Sequence, residues 1–359
     1  MKLEELEKYR NQDGRIDIDK IEEEFDFQKI PEVRGASNKD KDWFKLDDCD
    51  ILIRTENLLD EGVLYTTYAE LIFEELAKQV DIPCAHYDLI KYKGKNGVLS
   101  KNVAENNENL VSMKDLLECS ERKHDIGDDQ NIHIEDAFSS FRTLYRDYGD
   151  FSKEDYKKLC NDFANMAIFD IYTMSTDRHA ENCGILYNGK NARVAPMFDN
   201  ECSLMLDSRQ DKIQRLLKDR LSLISYTELE CQKIYLSYDD EDEVTESDSQ
   251  ISKLINDMLA NSQADITENS DWQNTIYNLS ELGDEQLDFI KRCDEKLNIT
   301  EAIKSVEARI KMKLPEELCE FVEAAFNSRK ELIREELMLD EIEEEREELT
   351  NDENDYFME

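Results

Sequence analysis

Basic side chains are scarce in this sequence: 45 Lys and Arg stand against 86 Asp and Glu, a formal charge of −41. A field of that sign repels DNA, RNA and anionic lipid, so direct nucleic-acid binding is not expected. No apolar run approaches the length of a membrane span, so no membrane insertion is expected either. The opening "MKLEELEKYRNQDG" does not read as a secretory signal. The nine cysteines include no CxxC pair, and His86, His124 and His133 lack metal-ligand spacing, which argues against a zinc site. Reduced thiols in a cytoplasmic compartment are the simplest reading, with delivery to a host cytosol without a cleaved signal as its variant. Internal repeats are lacking too.

What is present suits a globular chain. Hydrophobic residues make up 40% of the 359, enough for real cores, and 36% are charged. The length suggests two domains or one bilobal unit. The acidic surplus serves solubility first, and it also suits a basic protein partner. Part of it is concentrated at Asp239 to Glu243, read as an acidic loop, and from Glu335 onward, where thirteen acids accompany one arginine.

The pattern changes along the chain. "DWFKL" and "DILIR" read as strands, and before them Gly35, Ala36 and Ser37 form a small-residue stretch that can cover a phosphate or simply make a hairpin turn. In "YTTYAELIFEELAKQV", Tyr65, Tyr68, Ile72, Leu76 and Val80 recur at helical spacing, which predicts an amphipathic helix. "IPCAHYDLIKY" and "GVLSKNV" around the turn "KGKN" predict a hairpin. A boundary is expected near residue 105. Beyond it "SKEDYKKLCNDFANMAIFDIYTMS" predicts a buried helix that runs straight into "TDRHAENCGIL". "CGILY" and "RVAPMFD" then predict a second hairpin, with polar clusters at neighbouring ends. Residues 206 to 345 read as mostly helical.

Two clusters carry the chemistry. Phosphoryl transfer needs a carboxylate to position the nucleophile, and an amide oxygen with a second carboxylate to hold magnesium. Asp177 and Asn182 stand five apart, and Asp199 follows the next apolar run. A plain polar turn would also use Asp and Asn, but it would not require all three spacings. Cys183 and Cys202 lack the base and cation that a nucleophile needs, and read as small buried residues.

"TDRHAENCGIL…APMFDNECSL" resembles the HipA-like serine/threonine kinases, in which D-R-H stands for the usual H-R-D and the asparagine follows three residues after the histidine. "GASNKDKDWFKL…ILIR…YAELIFEELAKQVDIPCAHYDLIKYKGKNGVLSKNV" is similar to that family's N-lobe. The resemblance covers residues 33 to 206. It implies an α+β, bilobal, protein-kinase-like fold: an N-lobe over 1–105 with a small sheet and one helix, a helical C-lobe over 106–335, and an acidic tail over 336–359. It implies ATP and Mg2+ as cofactors and a protein Ser or Thr as acceptor. Asp177 would be the base, and Asn182 and Asp199 the magnesium ligands. Arg178 and His179 would brace the loop. Glu70 would orient the phosphate-gripping cation at Arg54, and Gly35, Ala36 and Ser37 would close over the phosphates. Lys101 and His179 are counted with the nucleotide-facing residues. Ser37 is a candidate for autophosphorylation.

One position departs from the family, where lysine usually stands in place of Arg54. Three readings stay open. Arg54 grips the phosphates at a reduced rate, Lys45 or Lys41 on the preceding strand reaches in instead, or the chain binds nucleotide and transfers poorly. The alternatives to a protein kinase are therefore a nucleotide-binding interaction module and a kinase of a small-molecule or lipid alcohol. Family members include toxins held by a DNA-binding antitoxin and effectors from pathogens, so an antitoxin-like regulator is a possible partner.

Overall fold

The computed structural model describes residues 1–25, 28–30, 41–55, 65–104, 107–119, 132–148, 152–229, 234–235 and 279–336. The N-terminal part is built on six strands: β1 (Ile16–Asp17), β2 (Lys29–Ile30), β3 (Lys41–Lys45), β4 (Asp50–Thr55), β5 (Tyr87–Tyr92) and β6 (Lys95–Lys101). Their order across the sheet is β1-β5-β6-β4-β3-β2. Only β1 runs parallel to its neighbour; β5/β6 is the expected hairpin, and the strands read from "DWFKL" and "DILIR" pair antiparallel as β3/β4. The two short edge strands, β1 and β2, were not legible in the sequence. Two residues are too few to show an alternating pattern.

Both faces of this sheet are covered, so β5 is buried along almost its whole length, Asp88 included. Phe44, Ile51, Ile53, Ile90 and Leu99 face a 3₁₀ helix (Leu3–Tyr9) and helix α1 (Ile18–Glu24), meeting Leu6, Ile18 and Ile21. Tyr87, Leu89 and Val98 face the other way, toward helix α2 (Thr66–Gln79). The expectation of an amphipathic α2 needs correction. Every residue from Thr67 to Glu74 is buried, because the helix is covered by the sheet on one side and by later helices on the other. Two acids, Glu70 and Glu74, are therefore taken out of water with it.

From residue 107 onward the chain is mainly helical. Strand β7 (Asn109–Ser112) leads into α3 (Met113–Cys119), β8 (Ile132–His133), α4 (Ile134–Tyr148) and α5 (Lys153–Tyr172). Ser152 caps α5 by accepting from Asp155 N, while the Asp155 carboxylate returns the contact to Ser152 N at 2.9 Å. Leu159, Phe163, Met166, Ala167 and Ile171 are buried as their spacing predicts. Phe169 meets Phe73 of α2 edge-on, with centroids 5.0 Å apart, so the two halves share one core. Such a pair adds about 1 kcal/mol to the area it buries.

Strands β9 (Gly184–Tyr187) and β10 (Ala192–Val194) form the expected hairpin, and β7 joins it as a third strand. Helices α6 (Gln210–Lys218) and α7 (Arg220–Leu229) follow, then the short β11 (Ile234–Tyr235), which pairs with β8. The chain is described again through α8 (Leu279–Lys296), α9 (Ile299–Ile310) and α10 (Glu316–Glu336). Several sequence expectations lie outside the described residues: the Gly35–Ser37 stretch, the boundary near residue 105, the acidic run at Asp239 to Glu243 with the helical reading over 236–278, and the tail beyond 336. Among the described residues no helix is long and apolar enough to cross a membrane.

Candidate active site

Arg178 organises the two polar clusters, and its own burial explains how. Its side chain is 1% exposed, so every donor must find a partner inside the protein. Nε and Nη2 form a fork on the Asp170 carboxylate at 2.9 and 3.1 Å. Nη1 donates to Asn182 O at 3.1 Å and to Phe198 O at 2.8 Å. Nη2 also donates to Asn200 Oδ1 at 2.5 Å. One guanidinium thus ties the end of α5, the loop holding Asp177 and Asn182, and the segment holding Asp199. Asn200 extends the link to the sheet by donating to the Tyr87 hydroxyl at 3.0 Å.

The Asp177 loop is held from within. Asn182 Nδ2 donates to Asp177 O at 2.9 Å and to Asp177 Oδ2 at 3.3 Å, which leaves Asn182 Oδ1 as the atom for a cation. His179 Nε2 lies 3.9 Å from Asp177 Oδ2, and its Nδ1 accepts from Glu181 N at 3.2 Å. That arrangement braces the loop, as the resemblance implies for histidine. Cys183 is buried beside it, while Cys202 is only half-buried.

Asp199 sits at φ 55°, a left-handed conformation that a non-glycine residue adopts only when the fold requires it. The turn carries its carboxylate to the sheet. Arg54 Nη1 lies 2.8 Å from Asp199 Oδ1, and Lys41 Nζ 3.4 Å from Oδ2. Lys41 and Arg54 are direct cross-strand partners, so they share a face. Lys45 is exposed, four residues further along β3. Of the two lysines considered as stand-ins, only Lys41 is placed at the site.

Glu70 reaches Arg54 from α2, its Oε2 lying 2.9 Å from Nη2. It is 2% exposed, so it is not the solvated carboxylate that its acidic neighbourhood would suggest. Sequence reasoning missed a third acid. Glu201 Oε1 lies 2.6 Å from Arg54 Nη1. Nothing in "FDNECSL" marks it, since its partner is on a distant strand. Asp170 was also missed, although a lone acid in the apolar run "IFDIY" was a usable signal.

The sequence-predicted residues are not all brought together. Asp177, Asn182, Asp199, Arg54, Glu70 and His179 are joined by the contacts above. Lys101 is not. The register pairs it with Ile51, whose side chain enters the core under α1, so Lys101 stands on the face turned away from Arg54. Its charge is felt by Cys49 instead. Gly35, Ala36 and Ser37 lie outside the described residues.

Charge crowding sets the electrostatics. Burial pushes Glu70 up to about 8, with Glu201 and Asp199 adding repulsion against the pull of Arg54. Glu201 is raised, by burial first and then by Asp199, again against Arg54. Burial would raise Asp199 as well, but Arg54 and Lys41 outweigh it and hold the carboxyl below its usual range. Burial disfavours the Arg54 charge, and Glu70, Glu201 and Asp199 more than restore it. Acidic side chains thus outnumber the cations Arg54 and Lys41, and the hard oxygens of Asp199 and Asn182 Oδ1 fit a divalent cation such as magnesium. Among the described residues no group of three or more His, Cys, Asp or Glu is placed to hold a metal unaided. Magnesium bound with nucleotide does not need one, because phosphate and water supply the remaining ligands.

Comparison with known proteins adds the fold. No protein-family profile matches the chain, and no curated protein matches it in sequence. Among solved structures, the Helicobacter pylori proinflammatory kinase CtkA superposes with a TM-score of 0.63 at 16% identity, covering 88% of this chain and 96% of that one. HipA of Shewanella oneidensis MR-1, solved with HipB and operator DNA, matches at a TM-score of 0.48 and 12% identity, over 89% of this chain and 70% of that one. The bilobal, kinase-like α+β fold that the resemblance to HipA-like kinases implied is therefore the fold this chain has, shared with CtkA over most of its length.

Proposed function

We propose that this chain is a kinase that uses ATP and magnesium to phosphorylate a serine or threonine hydroxyl of a protein. One observation carries the reading. The Asp177–Asn182 loop and Asp199 are locked to each other through Arg178, while Asp199 meets the Arg54–Glu70 pair from the opposite lobe. These are the parts phosphoryl transfer needs, gathered from four elements. A set of unrelated polar turns would have no reason to converge.

Asp177 would accept the hydroxyl proton and aim its oxygen. Asn182 Oδ1 and the Asp199 carboxylate would hold magnesium, which when bound neutralises charge on the transferring phosphate. Glu70 fixes the Arg54 fork, and Arg54 with Lys41 would draw the phosphates. A nucleotide bound between the lobes would meet side chains that the core already holds in place, which would lower the positioning cost of the transfer.

A catalytically weak nucleotide-binding module is the second reading, favoured by one observation: arginine where the family has lysine, already committed to three carboxylates. Phosphorylation of a soluble or lipid alcohol is the third. The −41 charge makes an anionic membrane a poor docking surface and favours a protein acceptor, with a basic protein or an antitoxin-like regulator as partner. The N-lobe and C-lobe would meet near residue 105, in a cytoplasmic protein.

The test is incubation of purified protein with magnesium and labelled ATP, alone and with lysate, beside Asp199→Ala and Asp177→Asn. Transfer to protein is expected from the native chain, falling about 10²–10⁴-fold in Asp177→Asn. ATP-dependent thermal stabilisation without any labelled product would select the binding module. ATP consumed with a metabolite mixture but no labelled protein would select the alcohol kinase. Intact mass would show whether Ser37 takes phosphate.

A further inference from the structure

Glu201 has no part in the mechanism above, yet it makes the shortest contact to Arg54. Nη1 of Arg54 lies 2.6 Å from Glu201 Oε1 and 2.8 Å from Asp199 Oδ1, while Nη2 lies 2.9 Å from Glu70 Oε2. A terminal guanidinium nitrogen carries two hydrogens. Nη1 donates to Asp199 Oδ1 and lies in ion-pair contact with Glu201, so a phosphate approaching from the cleft competes with both carboxylates for it. Asp199 can leave Arg54 for a metal ion. Glu201 is the more open of the two, its side chain 36% exposed against 25% for Asp199.

The charge balance makes the competition steep. Asp199, Glu201 and the neighbouring Asp177 set three carboxylates against Arg54 and Lys41, while Glu70, raised by burial, adds only part of a charge. A bare polyphosphate entering here meets net repulsion. A polyphosphate carrying a divalent cation does not, and its metal offers the displaced carboxylates a partner. The fork of arginine suits this arrangement. One nitrogen serves Glu70 on α2 and the other serves the Asp199–Glu201 side, whereas an ammonium would have to meet all three from a single point.

We propose that Glu201 is a counter-ion gate on the nucleotide site: it occupies Arg54 when no nucleotide is bound, and yields only to nucleotide phosphates that arrive with a divalent cation. The proposal rests on the kinase reading of this site. It makes Glu201 a positioning residue that acts through Arg54, setting which form of nucleotide is accepted.

The test is calorimetric titration with AMP-PNP, a non-hydrolysable ATP analogue, in excess magnesium and in EDTA, on the native chain, Glu201→Gln and Glu201→Asp. Native protein should bind the magnesium complex and bind metal-free analogue at least about a hundredfold more weakly. Glu201→Gln should tighten metal-free binding at least about tenfold and so narrow that gap. Glu201→Asp, which keeps the charge, should retain the native metal dependence. The proposal is overturned, and the kinase reading survives, if native protein binds the magnesium complex but Glu201→Gln binds metal-free analogue no more tightly than native. It is also overturned if Glu201→Asp behaves like Glu201→Gln, since packing rather than charge would then be responsible. If no protein binds the analogue with or without magnesium, the kinase reading falls too. Thermal midpoints of the variants report whether each is folded, and Glu201→Ala repeats the charge removal should the glutamine fail.

Discussion

Arg178 shows how a single buried side chain can tie distant segments together, joining α5 to the Asp177 loop and the Asp199 segment. Asp170 is fully buried and has Arg178 as its counter-charge. Burial raises this carboxyl, and Arg178 pulls it back. Arg178→Ala would strand that charge in the core, so a loss of about 3–5 kcal/mol in urea unfolding is expected. Arg178→Lys should recover little of it, because one ammonium cannot serve Asp170 as a fork and also reach Asn182 O, Phe198 O and Asn200. Glu74 gives a pH signature. Burial would raise it, yet His86, Arg309 and Lys78 bring it from an ordinary 4.5 down to about 2. A carboxyl lowered on folding stabilises above its unfolded value, and that stability is lost as pH falls through the folded one. The native chain should therefore lose about 3 kcal/mol from this group between pH ~5 and ~2. Acid titration of unfolding for Glu74→Gln should be flatter over that window.

The element that most needs support is α2, because Glu70 orients Arg54 from it. Its support comes from α9 as well as from the sheet. Arg309 Nη1 bridges Glu74 at 2.8 Å and Glu75 at 3.2 Å. Gln79 and the α9 cap residue Asn298 exchange hydrogen bonds of 2.7 and 3.0 Å. Arg309→Ala should cost about 1–3 kcal/mol. It should also speed amide hydrogen exchange along α2 and lower phosphate transfer, because Glu70 then loses its fixed place. Exchange unchanged in α2 would show that the sheet alone holds the helix. Strand β4 depends on a close approach of the same kind. A Cβ on Gly97 would fall 2.2 Å from Arg54 O, so this glycine lets β6 press against the strand that presents Arg54. Gly97→Ala is expected to push β4 outward and weaken nucleotide binding by more than it alters the core under α1, as thermal shift with and without Mg-ATP would show.

At the scale of the whole molecule, charge and core pull in opposite directions. Two cores lie on the two faces of one sheet, and the larger continues through α2 into α5 and the C-terminal helices. Against them stands the self-repulsion of a −41 charge. Exposed ion pairs contribute only about 0–1 kcal/mol each, so screening of net repulsion should dominate the response to salt. The melting temperature is expected to rise as NaCl goes from ~10 mM to ~150 mM. A fall would mean that surface ion pairs outweigh the net charge.

The local chemistry of this protein was legible in its sequence. Helical spacing marked α2 and α5, short strand-like runs bounded by turn residues marked β3 to β6, and the offsets among Asp177, Asn182 and Asp199 marked one end of the candidate site. Each depends on residues close along the chain, where period and spacing speak directly. What only the tertiary structure decided were partners far apart in sequence. Glu70 became a buried ligand of Arg54 because α2 is covered on two sides, which its own periodicity does not reveal. Lys41 joined Asp199 and Lys101 did not, because strand register assigns them to opposite faces. Glu201 met Arg54 because a left-handed turn at Asp199 aims that segment at the sheet. Burial and register arise from contacts between elements, and a pattern within one element cannot encode them alone.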